Sequence, residues 1–292
     1  MHLQPWWLDA VCGPERWDLA LSRDHQDNIL GAMPYYFAWR WGLKVIQLPP
    51  LTTYAGPWLQ YPQSEGTKAL NRPSFEKKVM ADLIRQLPKT VFFKQNFRPE
   101  VTNWLPFYWE GFRQTTRYTY VFDPIANLEE ITASFKNTLR SDLKKAALWT
   151  EIRRNDAAWA TVFALNKLSF KRKKMNQPYT LKHFQALHKA LSLRNQSACF
   201  VAYDRASGQP SAGLYLIFDQ RQASVLLTGT DPAFKFQCGV YALLMESLRF
   251  CAQSGIGLDF EGSMDKGIEF AFRAFNAKQT PYFQVTSAMW SM

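Results

Sequence analysis

Between Ser197 and Asp231, three apolar runs follow one another with connections of only a few residues: SACFVAYD (197–204), SAGLYLIFD (211–219) and ASVLLTGTD (223–231). Runs of this kind, bounded by turn residues, read as strands, and such short connections join antiparallel neighbours. A sheet built this way needs covering helices, and the flanking sequence supplies them. DAAWATVFALNKLSF (156–170) and TLKHFQALHKALSL (180–193) come before it, the second placing Phe184, Leu187 and Leu191 on one face. GVYALLMESLRFCAQSG (239–255) comes after it and ends on a glycine suited to a left-handed C-cap. A strand in IGLDFEG, a helix in IEFAFRAF and a last strand in PYFQVTS complete the series. The expected class is α+β, with mixed, mostly antiparallel sheets flanked by helices.

The first part of the chain has a rhythm of its own. WDLALSR (17–23), NILGAMPYYFAWR (28–40) and LKVIQLP (43–49) suit antiparallel strands, and the proline-punctuated PPLTTYAGPWLQYP reads as an ordered loop. FEKKVMADLIRQL (75–87) puts Val79, Leu83, Ile84 and Leu87 on one helical stripe, and TVFFKQNF (90–97) is a buried strand. After TTRYTYVFDP (115–124) the pattern changes. Asn127 is placed as the N-cap of NLEEITASF, which runs on into FKNTLRSDLKKAAL, a basic amphipathic helix carrying Arg140, Lys144 and Lys145. The boundary is set near Phe122, giving domains 1–122 and 123–292, each long enough to bury a core.

Charge and composition narrow the partners. Lys plus Arg number 35 against 24 Asp plus Glu, a net charge of +11. A field of that sign concentrates anionic partners such as phosphates, coenzyme A, tRNA or a phospholipid surface. The apolar fraction is 47 %, yet no run approaches the roughly 18 unbroken apolar residues of a membrane span. The N-terminal MHLQPWWLDAVCGPERWD lacks the pattern of a secretory signal, so a cytoplasmic location is expected. Cys12, Cys199, Cys238 and Cys251 have no CxxC spacing and read as small buried hydrophobes; His183 and His188 are five apart, a poor shared face for a metal. No metal site is expected.

The element order is that of a GNAT-type N-acetyltransferase fold, and the first part is similar to a degenerate copy of it. From about Thr116 to Val285 the chain resembles the Fem-type aminoacyltransferases and the related acetyltransferase-like domains of bacterial envelope and polysaccharide clusters. The residues that carry the likeness are TTRYTYVFD before NLEEITASFKNTLRSDLKKA, the turn FKRKKMNQPYTLKHF, and GVYALLMESLRFCAQSGIGLDFEGS with FRAFNAKQTPYF. The resemblance implies two GNAT-like lobes with an acceptor held in a cleft. It also implies acyl-CoA or aminoacyl-tRNA as a donor co-substrate in the C-terminal lobe, with no tightly bound cofactor.

Candidate residues follow from both arguments. In LDFEG, Asp259 and Glu261 alternate with Leu258 and Phe260, so both acids are expected on one side of a strand, and either carboxylate could take a proton from an attacking amine. The bland alternative is that Asp259 holds the turn and Gly262 makes it. Coenzyme A enzymes of the fold cradle pyrophosphate on a Gln/Arg-x-x-Gly-x-Gly/Ala loop at a helix N-terminus. Here the equivalent is Lys235-Phe236-Gln237-Cys238-Gly239, in a different register, with Lys235 and the amides of Cys238 and Gly239 left to hold a phosphate. Lys266 or Arg273 is the candidate charge stabiliser, Arg273 in a Phe-Arg-Ala-Phe similar to the Phe-Lys and Phe-Gly of Fem proteins. Its bland alternative is an ion pair with Glu269.

Acceptor contacts are expected from Lys171, Arg172, Lys173 and Lys174, beside the stacking surfaces of Phe170 and Tyr179, and from Tyr54 in the first domain. No cysteine or serine has a partner base in view, so no covalent intermediate is expected. The competing class is a non-catalytic module whose basic surface binds RNA, a lipid headgroup or a protein.

Overall fold

The computed structural model describes residues 1–62, 71–262 and 264–288. The chain divides into two units, one of His2–Arg117 with the described residues from Pro281, the other of Tyr118–Thr280 with Met1. The expectation that everything after Phe122 belongs to one lobe therefore needs correction. The end of the chain pairs with a strand of the first unit and is counted there.

The first unit opens with helix α1 (Pro5–Cys12), followed by strands β1 (Trp17–Arg23), β2 (Ile29–Arg40), β3 (Leu43–Gln47) and β4 (Trp58–Leu59). Helix α2 (Arg72–Arg85), strand β5 (Phe92–Asn96) and helix α3 (Leu105–Trp109) come next, and β6 (Arg113–Phe122) leads out. Asn71 caps α2 by accepting the Ser74 N–H, and a proline at the start costs nothing because its missing N–H has no helical partner there. The stripe of Val79, Leu83 and Ile84 is buried as its spacing predicts, against Met33, Ile46, Phe93 and Phe97. Each fully buried side chain of this kind contributes about 1.5–3 kcal/mol.

The second unit adds α4 (Leu128–Ala133), α5 (Asn137–Trp149), β7 (Thr150–Arg154), α6 (Trp159–Arg172), α7 (Leu181–Ser192), β8 (Ser197–Asp204), β9 (Pro210–Phe218) and β10 (Gln222–Thr230). It ends with α8 (Gly239–Ser254), β11 (Gly257–Asp259) and α9 (Lys266–Ala274), and β12 (Lys278–Ala288) then carries the chain back into the first unit. The single basic helix expected after Asn127 is two. Asn127 caps α4 as foreseen, but Phe135 is buried between the two helices and Lys136 is extended, so the chain breaks and restarts. Thr180 and His183 form a reciprocal capping box on α7, whose Phe184, Leu187 and Leu191 are all buried. His188 bonds Tyr215 at 2.7 Å and stacks on Trp159, so both histidines of the pair serve the fold.

Within the second unit the strand order is β6-β11-β10-β9-β8-β7. Its pairs are antiparallel except β10 with β11, which is parallel. In the first unit β1-β2-β3-β5-β12 are neighbours and β4 lies on β2; β3 with β5 is the parallel pair. The strands of each unit run in mixed directions and are flanked by helices, an α+β fold.

Candidate functional site

The parallel pair at the centre of the second unit is short. β10 and β11 are in register over Gln222↔Gly257, Ala223↔Leu258 and Ser224↔Asp259, and β10 then continues to Thr230 through a bulge between Val225 and Leu227. β11 ends at Asp259, so its pairing with β10 stops at Ser224. Glycines let helix α6 close on the far end of β10: Gly229 faces Gly213 across the β9–β10 pair, and a Cβ at Gly229 would overlap the Asn166 backbone. That approach lets the Asn166 Nδ2 donate to the Thr228 carbonyl at 2.8 Å and the Thr230 N–H donate to Ser169 Oγ at 3.1 Å.

The two acids of LDFEG occupy different places, and the expectation of a common strand face is corrected by where β11 stops. Asp259 is 2 % exposed and accepts the Thr119 hydroxyl and, at 2.7 Å, the Glu261 N–H. Glu261 and Gly262 both have left-handed backbone, with φ of +55° and +54°. Gly262 is obligatory on two counts, since a Cβ would overlap the Tyr118 carbonyl and come within 2.7 Å of Thr119 Cα. Glutamate rarely adopts this conformation, and Asp259 holds it there. Ser263, the residue after Gly262, lies outside the described residues.

The turn carries Glu261, half-buried, toward Tyr179. The Tyr179 hydroxyl donates to Asn166 Oδ1 at 2.9 Å, and Gln177 Nε2 donates to the same oxygen at 2.8 Å. Burial pushes the Tyr179 phenol well up, the hydrogen bonds of Gln177 and Asn166 pull the other way, and the Glu261 carboxylate adds to the rise. Asn166, Tyr179 and Glu261 thus share one neighbourhood beside β10. Asn166 escaped sequence reasoning, because an asparagine on a buried helical face carries no motif.

Around it the basic groups sort themselves. Lys171 and Arg172 belong to the last turn of α6 rather than to a loop, and Lys171, Arg172 and Lys174 are exposed. Lys173 pairs with Asp265 at 3.0 Å, and Asp265 caps α9 by accepting the Gly267 and Ile268 N–H groups. Its carboxyl is held below the usual carboxylate range, first by Lys173 and then by the Ile268 N–H. Lys266 is exposed on the first residue of α9, where its charge adds to the positive helix end. Arg273 Nε pairs with Glu269 at 3.0 Å, the ion pair expected as the alternative for it. Glu269 also accepts the Tyr120 hydroxyl at 2.7 Å.

The donor loop differs from the expected cradle. Gln237 is 1 % exposed and its Nε2 donates to Asp204 at 2.5 Å, so it supports the β8–β9 turn instead of facing a ligand. Cys238, left-handed with φ of +59°, precedes α8, and its Sγ lies 3.4 Å from Asp142 of α5. Burial, and next Asp142, raise its thiol. Lys235 is exposed and Gly239, buried, starts α8 with no side-chain cap. Arg140 and Lys144 line a cavity of about 660 Å³ between α5, β7 and α8 together with Arg205 and Arg249. The last two come from distant stretches and gave no cluster in the sequence.

In the first unit, Tyr54 is 6 % exposed, its ring 5.2 Å from that of Tyr282 and 6.1 Å from that of His2. The acceptor contact expected of it is corrected to a core contact. Among the cysteines, Cys199 and Cys251 are buried as expected, whereas Cys12 and Cys238 are half-buried. No helix among the described residues is long and apolar enough to cross a membrane.

Comparison with known proteins places this geometry. A family model described as the acetyltransferase (GNAT) domain matches residues 133–266, which include β10, β11, α6 and the α8 loop. No curated protein matches by sequence. Among solved structures, FemX superposes with a TM-score of 0.66 at 12 % identity, over 97 % of this chain and 91 % of that one. A tandem GNAT protein from the clavulanic acid biosynthesis pathway gives 0.56 at 8 %, over 95 % and 85 %. L-PGS from Bacillus licheniformis gives 0.52 at 9 %, over 96 % and 85 %. Residues 133–266 thus match the GNAT-type acetyltransferase domain, in a chain whose fold is similar to that of FemX and of the tandem GNAT protein.

Proposed function

We propose that the protein transfers an activated acyl or aminoacyl group from acyl-CoA or aminoacyl-tRNA to an amine of an envelope, polysaccharide or small-molecule acceptor. The observation that carries this reading is the position of Glu261, two residues past the end of β11, on a left-handed turn that Asp259 holds. Backbone strain held in place by a buried carboxylate is the kind that functional sites retain. The acceptor nitrogen attacks the acyl carbonyl and gives its proton to Glu261, directly or through a water. The donor's C–S or C–O bond then breaks and its leaving oxygen or sulfur takes up a proton.

Tyr179, fixed by Asn166, orients the acceptor beside the carboxylate. Lys266, and beyond it the exposed Lys171, Arg172 and Lys174, supply positive charge for a phosphate-bearing substrate. The test is to incubate the purified chain with acyl-CoA or charged tRNA and an amine panel, and to follow product by mass spectrometry. Turnover supports the reading. Binding of donor without turnover selects the non-catalytic module, and neither binding nor turnover removes both donors.

A further inference from the structure

The β2–β3 connection of the first unit is a feature that acyl transfer does not explain. Trp41 and Gly42 form a two-residue loop, both with positive φ, +50° and +75°. That is the turn for which Asn-Gly or Asp-Gly is preferred, and a tryptophan in its first position opposes the local preference. Trp41 is also 95 % exposed, with Trp39 at 69 % and Leu43 half-exposed beside it. Strand β1 follows β2 only as far as Tyr36, and β3 meets β5 in register only at Ile46. The stretch between therefore stands out as a two-stranded ribbon. Four residues beyond Tyr36 at the usual strand rise of about 3.3 Å give a projection of roughly 13 Å.

The charges on the ribbon have one sign. Trp39 is opposite Lys44 on one face, and Arg40 is opposite Leu43 on the other, so a cation sits just behind the aromatic tip on both sides. Lys44 Nζ lies over the Phe37 ring at 3.5 Å, and Arg40 donates to Gln47 at 2.9 Å. No acidic residue occurs between Tyr36 and Gln47. Nearby, burial lowers the Lys94 ammonium, and Arg117 and Arg40 lower it further, so the base of the ribbon is crowded with positive charge as well.

We propose that this ribbon is an interfacial anchor, which seats Trp41, Trp39 and Leu43 among the headgroups of an anionic phospholipid bilayer while Arg40 and Lys44 meet the phosphates. Tryptophan is the residue that favours the membrane–water interface, and cations near an anionic surface add attraction. A second copy of the chain is the poorer occupant, since a self-complementary contact would bring like cations together. The inference is independent of the transfer reaction and is tested without it.

The experiment mixes the full chain with vesicles of phosphatidylcholine alone or with about 30 mol % phosphatidylglycerol, and measures cosedimentation and indole emission. Partitioning to the anionic vesicles, weakened by salt, with a blue shift is expected. Trp41→Asn suits the positive φ and should leave the melting temperature unchanged or raised, yet lower partitioning by roughly tenfold or more. Arg40→Ser and Lys44→Ser should each cost about fivefold on the anionic vesicles only. Vesicle binding at background, or undiminished binding by Trp41→Asn, overturns the proposal. So does a dimer in sedimentation velocity that Trp41→Asn dissociates.

Discussion

Asp259 Oδ1 accepts the backbone N–H of Glu261 at 2.7 Å, so one buried carboxylate fixes the left-handed backbone on which the other stands. The two acids differ in exposure, Asp259 buried and Glu261 half-buried. Removing the Asp259 charge loosens the turn. Removing that of Glu261 leaves the turn in place.

The first prediction follows from that separation. Glu261→Gln keeps shape and most hydrogen bonding while removing basicity, so transfer should fall by roughly 10²–10⁴-fold with the melting temperature little changed. Equal kcat/KM for both proteins, on any donor the chain accepts, would remove Glu261 from proton transfer and leave positioning to account for the rate.

Gly262→Ala should act on stability instead. Its Cβ has to displace the Tyr118 backbone, which is sheet, in addition to the cost of a positive φ at alanine. The sum is expected to be about 2–4 kcal/mol by chemical denaturation. A loss under about 0.5 kcal/mol would mean that the turn relaxes, and that Glu261 is not rigidly held.

How much of this was open to sequence reasoning depended on range. The α7 face of Phe184, Leu187 and Leu191, the Asn127 cap and the Gly255 terminus are local patterns, and the structure shows each of them. The site depended on contacts distant in sequence. Asn166 acquires meaning only because Gly229, more than sixty residues on, lets α6 approach. The strand in IGLDFEG was read four residues too long, because hydrophobic alternation continues through Phe260 while the backbone has already turned. Tyr54 stands in a proline-punctuated loop, and its packing against Tyr282 rests on the far end of the chain.

The Lys173–Asp265 pair yields a pH prediction. Asp265 is held below its usual range in the folded state, so its contribution is present above the unfolded carboxylate value and is lost as pH falls through the lowered one. Lys173→Ala should therefore lower stability by about 0.2–1 kcal/mol near neutrality, the scale of a half-exposed pair. The difference should close as acid protonates Asp265. A gap that persists at the acid end would assign the loss to packing of the lysine stem.

Asp142 poses the sharpest question about the donor, because it places a carboxylate against Cys238 at the start of α8, where an anionic donor is proposed to bind. With no side-chain cap on that helix, the carboxylate supplies negative charge to the positive helix end, worth about 0.3–1 kcal/mol. The same charge repels a phosphate, by about 1–3 kcal/mol at a separation near 5 Å for a site between protein and water. Asp142→Asn should therefore destabilise the fold slightly and tighten CoA binding by roughly fivefold to a hundredfold, measured by calorimetry. Cys238 reports on the same change without any donor. Its thiol is raised by burial and then by Asp142, so the variant should be alkylated faster by iodoacetamide at neutral pH, with Cys238→Ser as the blank. Faster alkylation with unchanged CoA affinity would place the phosphates away from this loop. Aminoacyl-tRNA would then be the donor to pursue, tested with the exposed Lys171, Arg172 and Lys174 changed to serine and the salt dependence of tRNA binding as the measure.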